Sequence, residues 1–153
     1  MIIMLPPNKR FICQGLYLPS VKSEELQNIV LTIDTSGSIN QALLNQFKSE
    51  IEAILTEFQT ELIVIYCDTT IRKIETFTSN DLPLNLQCPG GGGTDFKPPF
   101  EYIEKEGLNP ACFIYLTDCQ GRFPDHAPDY PVLWVNLINS EVGPFGETVN
   151  VNR

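Results

Sequence analysis

Asp34, Ser36 and Ser38 stand at alternate positions directly after the apolar run Ile29-Val30-Leu31-Thr32-Ile33. A carboxylate and two hydroxyls on one short loop are hard oxygen donors, the kind that a hard divalent cation takes. Further donors fall at the ends of two other segments. Thr94 and Asp95 follow the run Gly90-Gly91-Gly92-Gly93, and Thr117 and Asp118 follow Ala111-Cys112-Phe113-Ile114-Tyr115-Leu116. If these segment ends meet in space, their hydroxyls and carboxylates form one hard-oxygen site of the kind that a divalent cation takes.

Each residue also has an ordinary reading. Asp and Ser shape turns and cap helices, and Ser38 followed by Gln41 has capping-box spacing. For Ser38 the capping and the metal-binding readings both stand. Asp95 reads as a helix cap rather than a ligand. The glycine run lacks the Gly-Lys-Ser/Thr of a phosphate loop, and flexibility that lets Thr94 approach an ion explains it better. The enzymatic alternative is a Mg2+-dependent phosphatase that forms an aspartyl-phosphate on Asp34, with Asp118 as metal ligand. Such sites need a second acid two residues on and a lysine at the phosphate, whereas position 36 is Ser and the lysines lie elsewhere. No catalytic residue is assigned, and the chain reads as a non-enzyme.

The elements that must position these donors are legible as patterns. Buried parallel strands read as apolar runs, here at 29–33, 62–67, 111–117 and 131–137, and open α/β sheets place ligands beyond the carboxyl ends of their strands. Leu43, Leu44, Phe47, Ile51, Ile54, Leu55 and Phe58 recur at spacings of three and four, which predicts a helix over 40–58. A shorter stripe (Phe96, Phe100, Ile103) predicts a helix over 95–106, with Pro98 and Pro99 in its first turn. Ile71 to Phe77 reads as an edge strand, and 79–93 and 119–130 as loops. Strands alternating with helices give an α/β fold with a mainly parallel sheet, one antiparallel edge strand and helices on both faces. If the strands that carry Asp34 and Asp118 are neighbours, their carboxylates converge on one crevice. Tyr66, Phe113, Tyr115 and Trp134 read as core, Glu101, Glu104, Lys105 and Glu106 as a solvated helix face, and His126 as an exposed loop residue.

Composition narrows the classes. A chain of 153 residues, 42% hydrophobic and 19% charged, suits one folded core. Its net charge of -9 argues against a nucleic-acid partner. The five cysteines are scattered and include no C-x-x-C pair, and the single His126 has no ligand-spaced companion. That predicts reduced thiols in a cytoplasmic protein and no zinc site. Met1 to Leu5 is too short for a signal peptide, and no apolar run approaches the roughly 20 residues of a membrane span. Residues 1–27, rich in proline and basic residues, read as a lead-in that packs on the domain or joins an upstream one, and 28–153 as the domain itself.

Asp34-Thr35-Ser36-Gly37-Ser38, the Thr94 of the glycine run and Thr117-Asp118 together resemble the three parts of a metal-ion-dependent adhesion site, and the chain from about residue 28 onward resembles a von Willebrand factor A (VWA) domain with its Rossmann-like fold. Pro7-Asn8-Lys9-Arg10-Phe11, Gly15-Leu16-Tyr17-Leu18-Pro19-Ser20, Gly-Gly-Gly-Thr94-Asp95-Phe96 and Pro144-Phe145-Gly146-Glu147 narrow the likeness. They are similar to the bacterial VWA-like family found as the carboxyl-terminal half of metallopeptidase-related proteins. The resemblance implies Mg2+, with Mn2+ or Ca2+ as substitutes, ligated directly or nearly so by Ser36, Ser38 and Thr94 and mostly through waters by Asp34 and Asp118. It implies a protein partner that offers Glu or Asp, with a MoxR-type AAA+ ATPase as a candidate, and no nucleic acid or membrane. It also implies a second reading, a regulatory or substrate-presenting half of a metallopeptidase-like protein. This sequence has no His-Glu-x-x-His motif, so peptidase chemistry would belong to the other half.

Overall fold

The computed structural model describes residues 28–35, 41–58, 60–86, 93–136 and 141–150. The lead-in expected at 1–27, with Ser36, Ser38 and most of the glycine run, lies outside them. Among the described residues the chain forms strands β1 (Ile29–Asp34), β2 (Leu62–Cys67), β3 (Ile71–Phe77), β4 (Cys112–Leu116), β5 (Val132–Asn136) and β6 (Glu147–Asn150). Helix α1 (Gln41–Phe58) follows β1, and helix α2 (Lys97–Lys105) precedes β4. A 3-10 turn at Ser79–Asp81 is closed by a capping box in which Thr78 and Asp81 satisfy each other's backbone.

The strands make one sheet in the order β3-β2-β1-β4-β5-β6. All neighbours are parallel except β2 and β3. The apolar runs become the four central strands, each buried along its whole length, because a sheet covered on both faces requires apolar side chains in both directions. Side chains alternate across a strand, so the core divides in two. Leu31, Ile33, Val64, Tyr66, Ile114 and Leu116 pack on one face with Leu44, Ile51 and Leu55 of α1. Val30, Ile63, Ile65, Phe113, Tyr115 and Trp134 pack on the other with Phe100 and Ile103 of α2. Helices therefore cover both faces, as the alternation of elements predicts.

The expected edge strand is β3, whose residues are mostly exposed or half-buried. Its exposed flank carries Lys73, paired with Glu75 at 3.1 Å, and charges on an edge discourage pairing with another chain. Pro98 and Pro99 fall in the first turn of α2, where no intrahelical N–H bond is lost. The opposite edge, β6, is absent from the sequence reading. Only Val149 of its four residues is buried, so it has no apolar run to announce it. Its entry depends on Gly146, at φ +70°, where a Cβ would lie 2.4 Å from the Val132 carbonyl.

Cys67 and Cys119 are buried free thiols. Cys112 is disulfide-bonded, which corrects the expectation of reduced thiols throughout. Pairing depends on which sulfurs meet in space, and scattered spacings do not reveal that. No helix among the described residues is long and apolar enough to cross a membrane.

Candidate metal centre

In a doubly wound sheet, ligands bind beyond the carboxyl ends of the strands where the chain order reverses. Here that point lies between β1 and β4, which pair in parallel with Ile33 opposite Leu116. One step further along this register come Asp34 and Thr117. Both are fully buried, and the alternation that points Val30 and Phe113 toward α2 turns these two side chains the same way. The Thr117 hydroxyl donates to Asp34 Oδ2 at 2.5 Å. It also accepts the Cys119 N–H at 3.2 Å. That bond accompanies a left-handed turn at Cys119, φ +63°, a conformation uncommon for a residue with a Cβ.

The other donors arrive on loops. Thr94 Oγ1 lies 3.3 Å from Asp34 Oδ1 and 3.5 Å from Oδ2, so the structure brings together two residues sixty positions apart in the chain. Asp118 follows Thr117, is 7% exposed, and accepts the Gln120 N–H on Oδ1 at 3.0 Å. Asp95 accepts the Lys97 N–H on Oδ1 at 3.0 Å, but the N-cap is Phe96, which has no side-chain cap bond, so the cap expected of Asp95 is instead an Asx turn leading into the helix. Ser36 and Ser38 lie outside the described residues. So does the capping box proposed for Ser38, although the Gln41 amide donates to Asn45 and to the Leu86 carbonyl.

Several residues that build this rim carry no motif of their own. Asp68 ends β2 and is fully buried. Arg72 grips its carboxylate, with Nη2 2.9 Å from Oδ2 and Nε 3.0 Å from both oxygens, a charge-assisted pair that fixes its orientation. The Asp68 carbonyl then accepts the Asp95 N–H at 2.9 Å, while the Arg122 carbonyl accepts the Phe96 N–H at 2.8 Å. The segment holding Thr94 is thus pinned on both sides. Asn136, fully buried at the end of β5, donates to the carbonyls of Asp118 at 3.3 Å and Glu141 at 2.9 Å. The signal available in the sequence was a polar residue closing an apolar run: Cys67-Asp68 and Val135-Asn136.

Gly121 closes the remaining gap. A Cβ there would meet the Thr94 carbonyl at 2.9 Å and Thr94 Cβ at 3.0 Å. Gly121→Ala therefore has to displace the Thr94 backbone, at a cost of about 1–3 kcal/mol for overpacking. We expect Mn2+ affinity, read by isothermal titration calorimetry, to fall by about tenfold while circular dichroism stays native.

The electrostatics are those of a negative rim. Burial pushes the Cys119 thiol up to about 12, and the charges of Asp118, Glu141 and Asp34 push in the same direction. Cys67 is likewise raised to about 12, by burial first and also by Asp68, Asp34 and Asp95. Both thiols therefore stay protonated at neutral pH. Native protein at pH 8 is expected to leave Cys67 and Cys119 unmodified by iodoacetamide, as peptide mass spectrometry would read, and unfolded protein to expose both. Because their folded pKa values lie above the ordinary 9.0, their contribution to stability is whole below pH 9 and declines as pH rises toward 12.

The residues present fit a hard cation. Asp34, Asp118 and the Thr94 hydroxyl are hard oxygens beyond the carboxyl ends of the central strands, the donor type that a hard divalent cation takes. No three His, Cys, Asp or Glu side chains cluster as ligands among the described residues.

Residues 29–152 match a family model described as a VWA-like domain (DUF2201). An uncharacterized protein of Thermotoga maritima is 36% identical over 101 residues, which cover 66% of this chain and 24% of that protein. The chain thus spans about a quarter of the length of this curated relative. No solved structure matches the chain.

Proposed function

The chain belongs to the VWA-like domain family, and from that premise we propose that it is a Mg2+-dependent protein-binding domain that engages an acidic side chain of a partner. Membership points to protein interaction or metal-dependent adhesion in general. The finer reading rests on one observation, the convergence of the Thr94 and Thr117 hydroxyls on the buried Asp34 carboxylate at the switch point of the sheet. Ser36, Ser38 and Thr94 would hold the ion, and Asp34 and Asp118 would orient its waters. The bound cation supplies an electrophilic position for one carboxylate. Thr117 fixes the rotamer of Asp34, and the pinned segment of Asp95 and Phe96 sets the distance of Thr94. No group is assigned to bond making or breaking, so the domain is proposed as a non-enzyme.

The test is calorimetry with Mg2+ and Mn2+ on the wild type and Thr94→Ala, followed by capture of partners from a bacterial lysate in Mg2+ or in EDTA. Micromolar to millimolar binding that Thr94→Ala weakens, with a partner retained only in Mg2+, is the expected result. Absence of heat and of any thermal shift with either ion would overturn the reading. A MoxR-type AAA+ ATPase is a partner to look for. The second reading is a regulatory or substrate-presenting half of a metallopeptidase-like protein; the matched segment is 24% of the Thermotoga relative, which gives the longer protein that this reading needs and says nothing of its chemistry.

A further inference from the structure

Away from the sheet rim, a groove of about 720 Å³ runs between α2 and the segment 123–130, within the size range of ligand sites. Its floor is aromatic. Phe100 stacks on Phe113 with ring centres 4.6 Å apart, and Tyr130 stacks on the same ring at 6.0 Å. Its walls are acidic on both sides, Glu101 and Glu104 from the helix and Asp125 and Asp129 from the loop. All four are exposed, and none of their carboxylates makes an ion pair or a hydrogen bond among the described residues. Lys97, His126 and Tyr130 are the other titratable groups that line it.

Unpaired carboxylates on an open surface bind nothing firmly, because water and salt screen them. The aromatic floor between two acidic walls changes that. A guanidinium is planar and weakly hydrated, lies flat on an aromatic face, and presents donors in its plane to carboxylates on either side. An ammonium is more strongly hydrated and lacks the planar fit. We propose that this groove docks an arginine side chain of a partner polypeptide, its guanidinium against the half-buried Tyr130 ring and between the helix and loop carboxylates, with a flanking apolar residue of the peptide on the half-buried Leu108. Charge complementarity selects the occupant. The surface stands apart from the cation site and works without it.

The test is an NMR titration of the whole 15N-labelled chain in EDTA at low ionic strength, with acetyl-Leu-Arg-Leu-amide as the probe. Its citrulline analogue removes the charge and keeps the shape, and spermidine supplies charge without the guanidinium plane. The arginine peptide is expected to shift the amides of 100–104 and 125–130 and to saturate in the millimolar range. The citrulline peptide and spermidine should bind at least about fivefold more weakly, and Glu104→Gln with Asp129→Asn should weaken the arginine peptide by about the same factor with the rest of the spectrum unchanged. Equal affinity for arginine and citrulline, shifts centred elsewhere, or spermidine binding as tightly as the peptide would overturn the proposal. EDTA keeps this outcome independent of whether Asp34 and its neighbours hold a cation.

Discussion

Asp34→Asn is expected to abolish most cation binding while the sheet stays folded. The carboxylate is fully buried, with hydroxyls of Thr117 and Thr94 directed at it. Asparagine keeps the shape and one acceptor oxygen but puts an NH2 where a second acceptor stood, so one hydroxyl must turn away. If Asp34 holds the ion through water, losing such an outer carboxylate costs about 10–100-fold in affinity. The stability readout is clear as well. A cation at about a hundred times its Kd stabilises the folded state by about 2.7 kcal/mol, which for a chain of this size raises Tm by about 5–10 °C. Wild type should show that shift with Mg2+, and Asp34→Asn, at the same cation concentration, should keep only about 0.4–1.4 kcal/mol of it, or about 1–6 °C. Without cation the variant should melt at the wild-type temperature or a few degrees below it, since the Thr117 and Thr94 hydroxyls lose a charged acceptor. Retained affinity in a folded variant would remove Asp34 from the site, and an unfolded variant would make its role structural.

The fold and half of the site were legible for the same reason. The strands at 62–67 and around 29–33, 111–117 and 131–137 are apolar runs because burial on both faces demands it, and the residues that end them have to lie at the rim. Asp34, Thr94 and Asp118 stand out as candidates by that rule and by the resemblance to VWA domains. The contacts that hold them do not. Thr117 is named in the sequence as one half of Thr117-Asp118, but its bond to Asp34 follows only from the parallel register of β1 and β4. Asp68 reads as another strand end until Arg72, four residues on, is seen to close on it. Gly121 is one loop glycine among others until its approach to Thr94 is measured. β6 was missed because its single buried side chain, Val149, leaves no periodicity to detect. Motifs mark the groups that do chemistry, whereas the groups that aim them are marked by register and distance.

Trp134 is where stability and the site meet, and Trp134→Ala is expected to be the most damaging single change in the core. The indole is fully buried. Tyr115 stacks on it at 5.3 Å, and Phe96 and Phe123 meet it edge-on at 5.5 and 5.3 Å. Its N–H donates to the Phe145 carbonyl at 2.8 Å. A Cβ on Gly143 would come within 2.3 Å of that nitrogen, so the loop before β6 packs directly against the ring. Truncation to alanine loses the buried area, leaves a cavity and strips the Phe145 carbonyl of its donor, together about 3–5 kcal/mol. That is a large share of the roughly 5–15 kcal/mol that holds a typical domain together. Trp134→Phe keeps a ring and loses the N–H, so it should cost less, about 1–3 kcal/mol. Phe96 sits two residues after Thr94, so loosening its packing should also weaken cation binding in whatever fraction remains folded. Urea unfolding followed by far-UV circular dichroism reads both variants without relying on the chain's one tryptophan. A loss below about 1 kcal/mol for Trp134→Ala would mean that the aromatic cluster closes over the gap. In that case Thr94 is held by the backbone bonds to Asp68 and Arg122 and by the close fit of Gly121, and Gly121→Ala should then weaken cation binding more than Trp134→Ala does.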